Sequence, residues 1–154
     1  MAIFRPEDEA RVRELLGALE RPVELVVAHG PEETPLPGAA RDIDFAAETE
    51  RVVRELAELS PSLSVRVEDG PALAAEGGRS SGPSFERYPA VAVLPAGEDA
   101  GVRYYGLPWG YELGSLIGAV LEAGRAESSL SGESLERLAA LDRDVSIDVF
   151  VTPT

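Results

Sequence analysis

RYPAVAVLPAGEDAGVRYYGLPWGYE, residues 87–112, is the stretch that decides the fold. A short apolar run, Ala90–Leu94, is followed by the turn sequence PAGEDAG and by a second run, Val102–Tyr105. Glycines then interrupt the pattern, and a helical pattern begins at Tyr111. Two apolar runs around a turn rich in glycine and proline predict an antiparallel hairpin, which here leads directly into a helix.

A proline stands immediately before the first of these runs. Proline removes a backbone donor from a sheet ladder, so it is unusual at the entrance of a strand of core quality. A cis bond between Tyr88 and Pro89 would explain its presence, because cis peptide bonds are essentially confined to X-Pro. We therefore expect a cis peptide bond at the start of this strand.

The rest of the chain adds alternating helices and strands to the hairpin. Upstream the pattern predicts, in order, a helix from Pro6 to Arg21-Pro22, a strand Val23–His29, a long loop Gly30–Arg41, a helix from Asp42 or Asp44 to about Leu59, an edge strand Leu63–Val67 and a helical turn Ala72–Glu76. Downstream it predicts a helix capped by Ser131 and a strand Val145–Val151. This order predicts an α/β fold with a four-stranded mixed sheet, in the order 2-1-3-4, and helices on both faces. An extra N-terminal helix and a trailing C-terminal strand complete it.

Two segments resemble a known family. GVRYYGLPWGYELGSLI, residues 101–117, is similar to the matching segment of the glutaredoxin-like protein disulfide oxidoreductases, which carry two thioredoxin units in one chain. VSIDVFVTPT, residues 145–154, resembles the first strand of their second unit, which runs into a Cys-Pro-Tyr-Cys active site. The resemblance implies a redox-inactive thioredoxin-like domain over residues 1–141. It implies a linker and the first strand of a truncated second unit over residues 142–154.

Composition limits the chemistry that this chain can perform. Its 154 residues include no cysteine and one histidine, so a disulfide, a thiolate nucleophile and a Cys- or His-rich metal site are excluded. We expect no cofactor and no metal. The formal net charge of −14 argues against nucleic acid or an anionic membrane as a partner. Without a secretory segment or a long apolar run, the sequence predicts a cytoplasmic protein.

The position of the missing thiol site follows from the thioredoxin resemblance. Thioredoxin units place Cys-x-x-Cys where the loop after the first strand meets a helix N-terminus, which favours the thiolate. Counting back along the second helix puts Ile43 and Ala46 at the two cysteine positions. Asp44 then places negative charge where a thiolate would form.

Five residues are candidates for binding a peptide or protein partner there: Tyr88, Pro89, Ile43, Phe45 and His29. Each also has a structural interpretation. Ile43 and Phe45 fit core packing under the long loop, Pro89 fits a bend that the fold requires, and His29 fits a loop anchor.

Several functions remain open at this point. The resemblance implies a redox-silent N-terminal unit that serves as scaffold or substrate- and partner-binding module for a following redox-active thioredoxin unit. A free-standing thioredoxin-like interaction domain and the N-terminal domain of a flavoprotein peroxiredoxin reductase are alternatives. An enzyme in its own right would need an acid–base pair from His29, Glu32, Asp42 and Asp44. The strand-like tail also predicts pairing with a second copy, giving a homodimer.

Overall fold

The computed structural model describes residues 3–31, 43–71 and 82–151. The helices in these ranges are α1 (Pro6–Leu16), α2 (Phe45–Ala57), α3 (Tyr111–Ala123) and α4 (Gly132–Ala139). The strands are β1 (Val23–His29), β2 (Leu63–Asp69), β3 (Ala90–Pro95) and β4 (Val102–Tyr105). The predicted helical turn Ala72–Glu76 lies outside the described residues, as does most of the predicted loop after β1.

The strands form one mixed sheet in the order β2-β1-β3-β4. β1 runs parallel to β2, from Val23 opposite Leu63 to His29 opposite Asp69. β3 is antiparallel to both β1 and β4, so the predicted hairpin and the predicted strand order are confirmed. This topology brings the carboxyl ends of β1 and β2 to the same end of the sheet as the start of β3.

The main core lies on one face of the sheet, under α1, α2 and α3. Strand residues with their side chains on this face, such as Leu25 and Val27, pack with Leu56 of α2 and Leu116 of α3. Each fully buried aliphatic side chain stabilises the fold by roughly 1.5–3 kcal/mol relative to exposure. β1 and β3 are buried on both faces, which explains their nearly continuous apolar sequences.

The opposite face carries a smaller cluster in the described part of the chain. It consists of Val26, Ala92 and Leu94, with Phe85 packed against it. Of the helices that the structure describes, α1, α2 and α3 contribute to the first face. The predicted helices are therefore confirmed on this face of the sheet.

The end of α3 is tied to the turn between α1 and β1. The carbonyl of Gly124 accepts hydrogen bonds from the amides of Glu20 and Arg21, at 2.8 and 3.1 Å. α1 itself ends at Leu16, earlier than the Arg21-Pro22 boundary that the sequence predicted, and Gly17 is its C-cap. Apolar periodicity continues to the partly buried Leu19, but that side chain packs against the core from a turn.

The C-terminal part corrects one prediction. Residues 144–151, which include the predicted strand Val145–Val151, form neither helix nor strand. Ile147 and Phe150 are 82% and 85% exposed, and α4 buries none of its residues. A strand forms only when another strand completes its hydrogen-bond ladder, and none of the four described strands pairs with this segment. None of the helices in the described ranges is long and apolar enough to cross a bilayer.

Candidate functional site

The candidate site lies at the end of the sheet where β1 and β2 end and β3 begins. α2 starts at this end, since it follows the connection from β1 and leads back into the parallel strand β2. All five predicted site residues are therefore on elements or junctions of one region. The structure brings Tyr88 and His29 to the adjoining strand ends directly, because Ala28 pairs with Ala90.

The N-terminus of α2 has the geometry that the sequence predicted. Asp44 is the N-cap, and its Oδ1 accepts a hydrogen bond of 2.9 Å from the amide of Ala47. Ile43 precedes the cap and Ala46 lies in the first turn, so their spacing is that of a Cys-x-x-Cys pair at a helix start. The alternative cap, Asp42, lies outside the described residues. A carboxylate thus holds the end of the helix dipole that would otherwise stabilise a thiolate.

The two apolar candidates beside the cap are not part of the described core. Ile43 is 43% exposed, and Phe45 is half-buried without belonging to either core cluster. The loop that the sequence predicted to cover them lies mostly outside the described residues, so core packing under it stays a prediction. They present apolar surface around Asp44 at the start of α2.

His29 connects the end of β1 to α2 through a residue that the sequence analysis missed. Its Nε2 lies 3.2 Å from Oε2 of Glu50, although the atoms are not aligned as a hydrogen bond. Glu50 also forms an ion pair of 2.8 Å with Arg54, one turn further along α2. The i, i+4 spacing of Glu50 and Arg54 was visible in the sequence, but the contact with His29 depends on the fold.

This arrangement bears on the possibility of an acid–base enzyme. The carboxylate beside His29 is Glu50, which was not among the predicted partners, and it is already shared with Arg54. Glu32 and Asp42 lie outside the described residues. The contact that the structure describes for His29 is with the carboxylate of Glu50, between strand and helix.

Tyr88 and Pro89 form the third side of the site. The peptide bond between them is cis, as expected from the sequence. The carbonyl of Pro89 accepts a hydrogen bond of 2.8 Å from the amide of Gly106, which joins the start of β3 to the end of β4. The ring of Tyr88 lies against two glycines, Gly30 after β1 and Gly70 after β2.

A shallow groove of about 480 Å³ runs along the ends of β1 and β2. Its lining is His29, Gly30, Pro31, Val67, Glu68, Asp69 and Pro71. Glu68 forms an ion pair with Arg66, which also bonds Glu24 of β1 at 3.0 Å. No group of three potential metal ligands occurs within the described ranges.

Comparisons with known proteins were made on the sequence and on the structure. No family model matches the chain. The F subunit of alkyl hydroperoxide reductase in Staphylococcus aureus (strain Mu50) is 24% identical over 144 residues, which cover 94% of this chain and 23% of the relative. Its counterpart in Xanthomonas campestris pv. phaseoli is 32% identical over 65 residues, covering 42% of this chain and 12% of the relative.

Three solved structures superpose over most of the chain. The C503A mutant of the F subunit of alkyl hydroperoxide reductase in Enterococcus faecalis (V583) gives a TM-score of 0.70 at 21% identity, covering 90% of this chain and 61% of that one. Its NTD_N/C domain gives 0.69 at 21% identity, with coverages of 91% and 62%. A protein disulfide oxidoreductase from Aeropyrum pernix K1 gives 0.66 at 24% identity, with coverages of 89% and 55%.

The fold is thioredoxin-like. The resemblance drawn from the hairpin and the tail is thereby confirmed at the level of fold. The chain spans 23% of the length of the first curated relative it matches and 61% of the first solved structure. With no cysteine among its 154 residues, it is a thioredoxin-like unit that lacks the Cys-x-x-Cys.

Proposed function

We propose that this chain is a redox-silent thioredoxin-like unit that supports a redox-active unit as scaffold or as substrate- and partner-binding module. One observation carries the proposal. The similarity to a component of a reductase extends over 94% of the chain, while the sequence contains no sulfur nucleophile. Thiol–disulfide exchange requires an attacking thiolate, so the preserved fold serves something other than that step.

The parent protein that fits best carries this unit as its N-terminal domain. The sequence matches favour a flavoprotein peroxiredoxin reductase of the kind represented by the F subunit of alkyl hydroperoxide reductase, and the fold also fits a glutaredoxin-like protein disulfide oxidoreductase. In either case residues 1–141 form the silent unit. On pairing with a following thioredoxin unit, which supplies the Cys-x-x-Cys in the cytoplasm, residues 142–154 become a linker and the first strand of that unit. The exposure of the apolar tail supports this proposal, because a second unit would bury it.

The binding surface that we propose is formed by Ile43, Phe45 and the entrance of β3 at Tyr88-Pro89, here called the Pro89 edge, where Pro89 itself is buried. It joins the exposed Ile43 and the half-buried Phe45 at a helix start to the backbone at a strand entrance. An extended protein segment suits such a surface, since main-chain bonds to the residues ahead of β3 would give affinity and apolar contacts would give selectivity. Asp44, at the centre of this surface, favours a segment that carries positive charge.

The first test concerns chemistry. The chain with a dithiol reductant should reduce insulin no faster than the reductant alone. Turnover above that blank would contradict the redox-silent assignment.

A second test restores the thiols. The variant Ile43→Cys/Ala46→Cys should form a reducible disulfide and catalyse insulin reduction, because the pair then lies at a helix N-terminus beside the Pro89 edge. The matched control is Leu130→Cys/Glu133→Cys, which puts the same spacing at the start of α4, at identical positions relative to its cap Ser131. Equal activity of the two variants would show that residues 43–46 are not the equivalent of the thiol site.

A third test measures recruitment. The chain, fused ahead of a stand-alone redox-active thioredoxin, should lower the KM of that enzyme for a protein disulfide and leave its kcat/KM for a small disulfide unchanged. Ile43→Asp should abolish the effect. Leu130→Asp should retain it, since Leu130 is 47% exposed, close to the 43% of Ile43, but lies away from the site.

The fusion also separates the alternatives. A free-standing interaction domain should give the same reduction in KM when it is added as a separate chain. A domain that works within a larger reductase should require the covalent link, because the link raises the effective concentration. The absence of an effect in both formats would contradict the recruitment proposal.

A further inference from the structure

The side chain of Tyr88 packs against two glycines, each of which follows a different strand. Gly30 follows β1 and Gly70 follows β2, and the two strands are parallel neighbours whose last residues, His29 and Asp69, lie opposite each other. A β-carbon placed on Gly30 would overlap the Cγ–Cδ2 edge of the Tyr88 ring. A β-carbon placed on Gly70 would overlap its Cε1 and Cζ atoms. The ring therefore lies across both strand ends, in a notch that any larger residue would fill.

Backbone conformation does not account for these two glycines. The glycines with positive φ in the described ranges are Gly97, Gly101, Gly106 and Gly110. Gly30 and Gly70 are not among them, so alanine is compatible with their backbone. The space taken by the Tyr88 ring is the reason that a side chain cannot be accommodated.

A backbone hydrogen bond attaches the same stretch at a second point. Directly after Tyr88, the carbonyl of Pro89 accepts the hydrogen bond from Gly106. The start of β3 is thus fixed to β4 through its backbone and to the ends of β1 and β2 through a side chain. In the sequence analysis Tyr88 was a candidate for contacting a partner. The structure places its ring against its own chain and leaves the residue half-buried.

We infer that Tyr88 is a positioning residue, whose ring in the Gly30–Gly70 notch fixes the Pro89 edge for partner binding. Pro89 itself is buried, so the side chains that contact the partner are those of Ile43 and Phe45. The notch is a property of the chain alone, whereas its consequence for partner binding rests on the proposed function. Because the glycines contact ring carbons, phenylalanine should replace tyrosine and alanine should not.

The notch is tested by a double-mutant cycle with Gly70→Ala and Tyr88→Ala, measured by urea denaturation of the full chain. Gly70→Ala should clearly lower the denaturation midpoint in the wild-type background. In the Tyr88→Ala background the same change should have little effect, because the overlapping ring is absent. Tyr88→Phe should keep the wild-type midpoint. Additive effects of the two alanine substitutions would overturn the notch, since residues in contact are expected to couple.

Hydrogen exchange provides a measurement that does not depend on complete folding stability. Tyr88→Ala should raise exchange at the backbone amides of residues 84–91 and leave α3 protected. Tyr88→Phe should match the wild-type chain. Unchanged exchange near Pro89 in Tyr88→Ala would show that the ring does not position this edge, and would overturn the inference.

The functional consequence is tested in the thioredoxin fusion. Tyr88→Ala should raise the KM for the protein disulfide several-fold with kcat/KM for the small disulfide unchanged, and Tyr88→Phe should behave as wild type. Full recruitment by Tyr88→Ala would overturn the positioning role even if the cycle shows coupling. If the wild-type fusion does not recruit, the proposed function fails, and the cycle and the exchange data decide the Tyr88 inference by themselves.

Discussion

Two helix starts in this chain have the same local chemistry and different surroundings. Asp44 caps α2 and Ser131 caps α4, and each accepts a hydrogen bond from the amide three residues later. An apolar residue precedes each cap, Ile43 in one case and Leu130 in the other, with similar exposure. Yet α2 buries an apolar stripe against the sheet, whereas α4 buries no residue.

The difference shows what a local sequence pattern supplies. A cap and a 3.6-residue period are sufficient for a helix to form in both places. Only α2 has a sheet face to pack against, so only its pattern contributes to the stability of the whole domain. The apolar residues of α4 and of the tail remain exposed. A surface that binds a further unit would be exposed in the same way.

The largest expected difference between the two helices comes from their leucines. Leu56→Ala in α2 should lower the free energy of unfolding by about 2–5 kcal/mol, because it removes a fully buried side chain and leaves a cavity. Leu138→Ala in α4 should change it by less than about 0.5 kcal/mol, since this side chain is already exposed. Urea denaturation of both variants measures the difference. Similar losses would mean that α4 packs on the domain in solution.

Removal of the cap should also lower global stability for α2 and not for α4. The loss of free energy of unfolding should be smaller than that from the leucine substitution. Asp44→Ala removes the bond to the amide of Ala47 and should cost about 1 kcal/mol of global stability. Ser131→Ala removes the equivalent bond of α4, at 3.2 Å to the amide of Ser134. It should lower helicity and protection of residues 132–139 and leave global unfolding unchanged. Circular dichroism and hydrogen exchange distinguish the two, and a global loss in Ser131→Ala would contradict the comparison.

Two ion pairs of the same i, i+4 spacing extend the comparison to pH. The guanidinium of Arg103 hydrogen-bonds Asp99 and holds the pKa of that carboxyl below its ordinary 3.8. Arg103 is largely buried, with its side chain 13% exposed, and it also bonds the carbonyl of Ser84. Glu133 and Arg137 of α4 form an exposed ion pair. The side chain of Arg137 is 80% exposed and that of Glu133 is 76% exposed.

The lowered pKa of Asp99 gives a signed prediction. Because the folded-state pKa is the lower one, the carboxylate stabilises the fold fully above pH 3.8 and loses this effect as the pH falls through the folded-state value. Asp99→Asn should therefore be less stable than wild type at pH 7. The difference in stability between the two should disappear below the ordinary pKa. Glu133→Gln should show no measurable gap at either pH, as for most exposed pairs. Thermal melts across this pH range test both variants.

The smallest expected effect is that of the tail on the stability of the domain. A chain that ends at Arg143 should unfold with the same free energy as the full chain, because residues 144–151 form no strand and are exposed. The mass in solution is the second measurement, since an unpaired apolar strand pattern favours association. A dimer of the full chain and a monomer of the shortened one would support the predicted homodimer. Monomers in both cases would exclude it.

Much of the fold was predictable because it depends on neighbours in the sequence. The hairpin and the caps Asp44 and Ser131 follow from apolar periods, turn residues and side chains that bond amides three positions away. The parallel pair of β1 and β2 follows from the order strand, helix, strand. The absence of thiol chemistry needed only the composition. The position of residues 43–46 at a helix start also followed from the pattern, because a helix N-terminus is a local feature.

The remaining features depend on residues that are distant in the sequence, and only the tertiary structure decided them. Nothing in the sequence indicates that His29 lies beside Glu50, or that Gly30 and Gly70 accept the ring of Tyr88. The alternating apolar residues of the tail also predicted a strand, but no described strand pairs with them. Period and capping are set within one or two turns of the chain, whereas burial and pairing require a second surface, and the fold alone determines where that surface is.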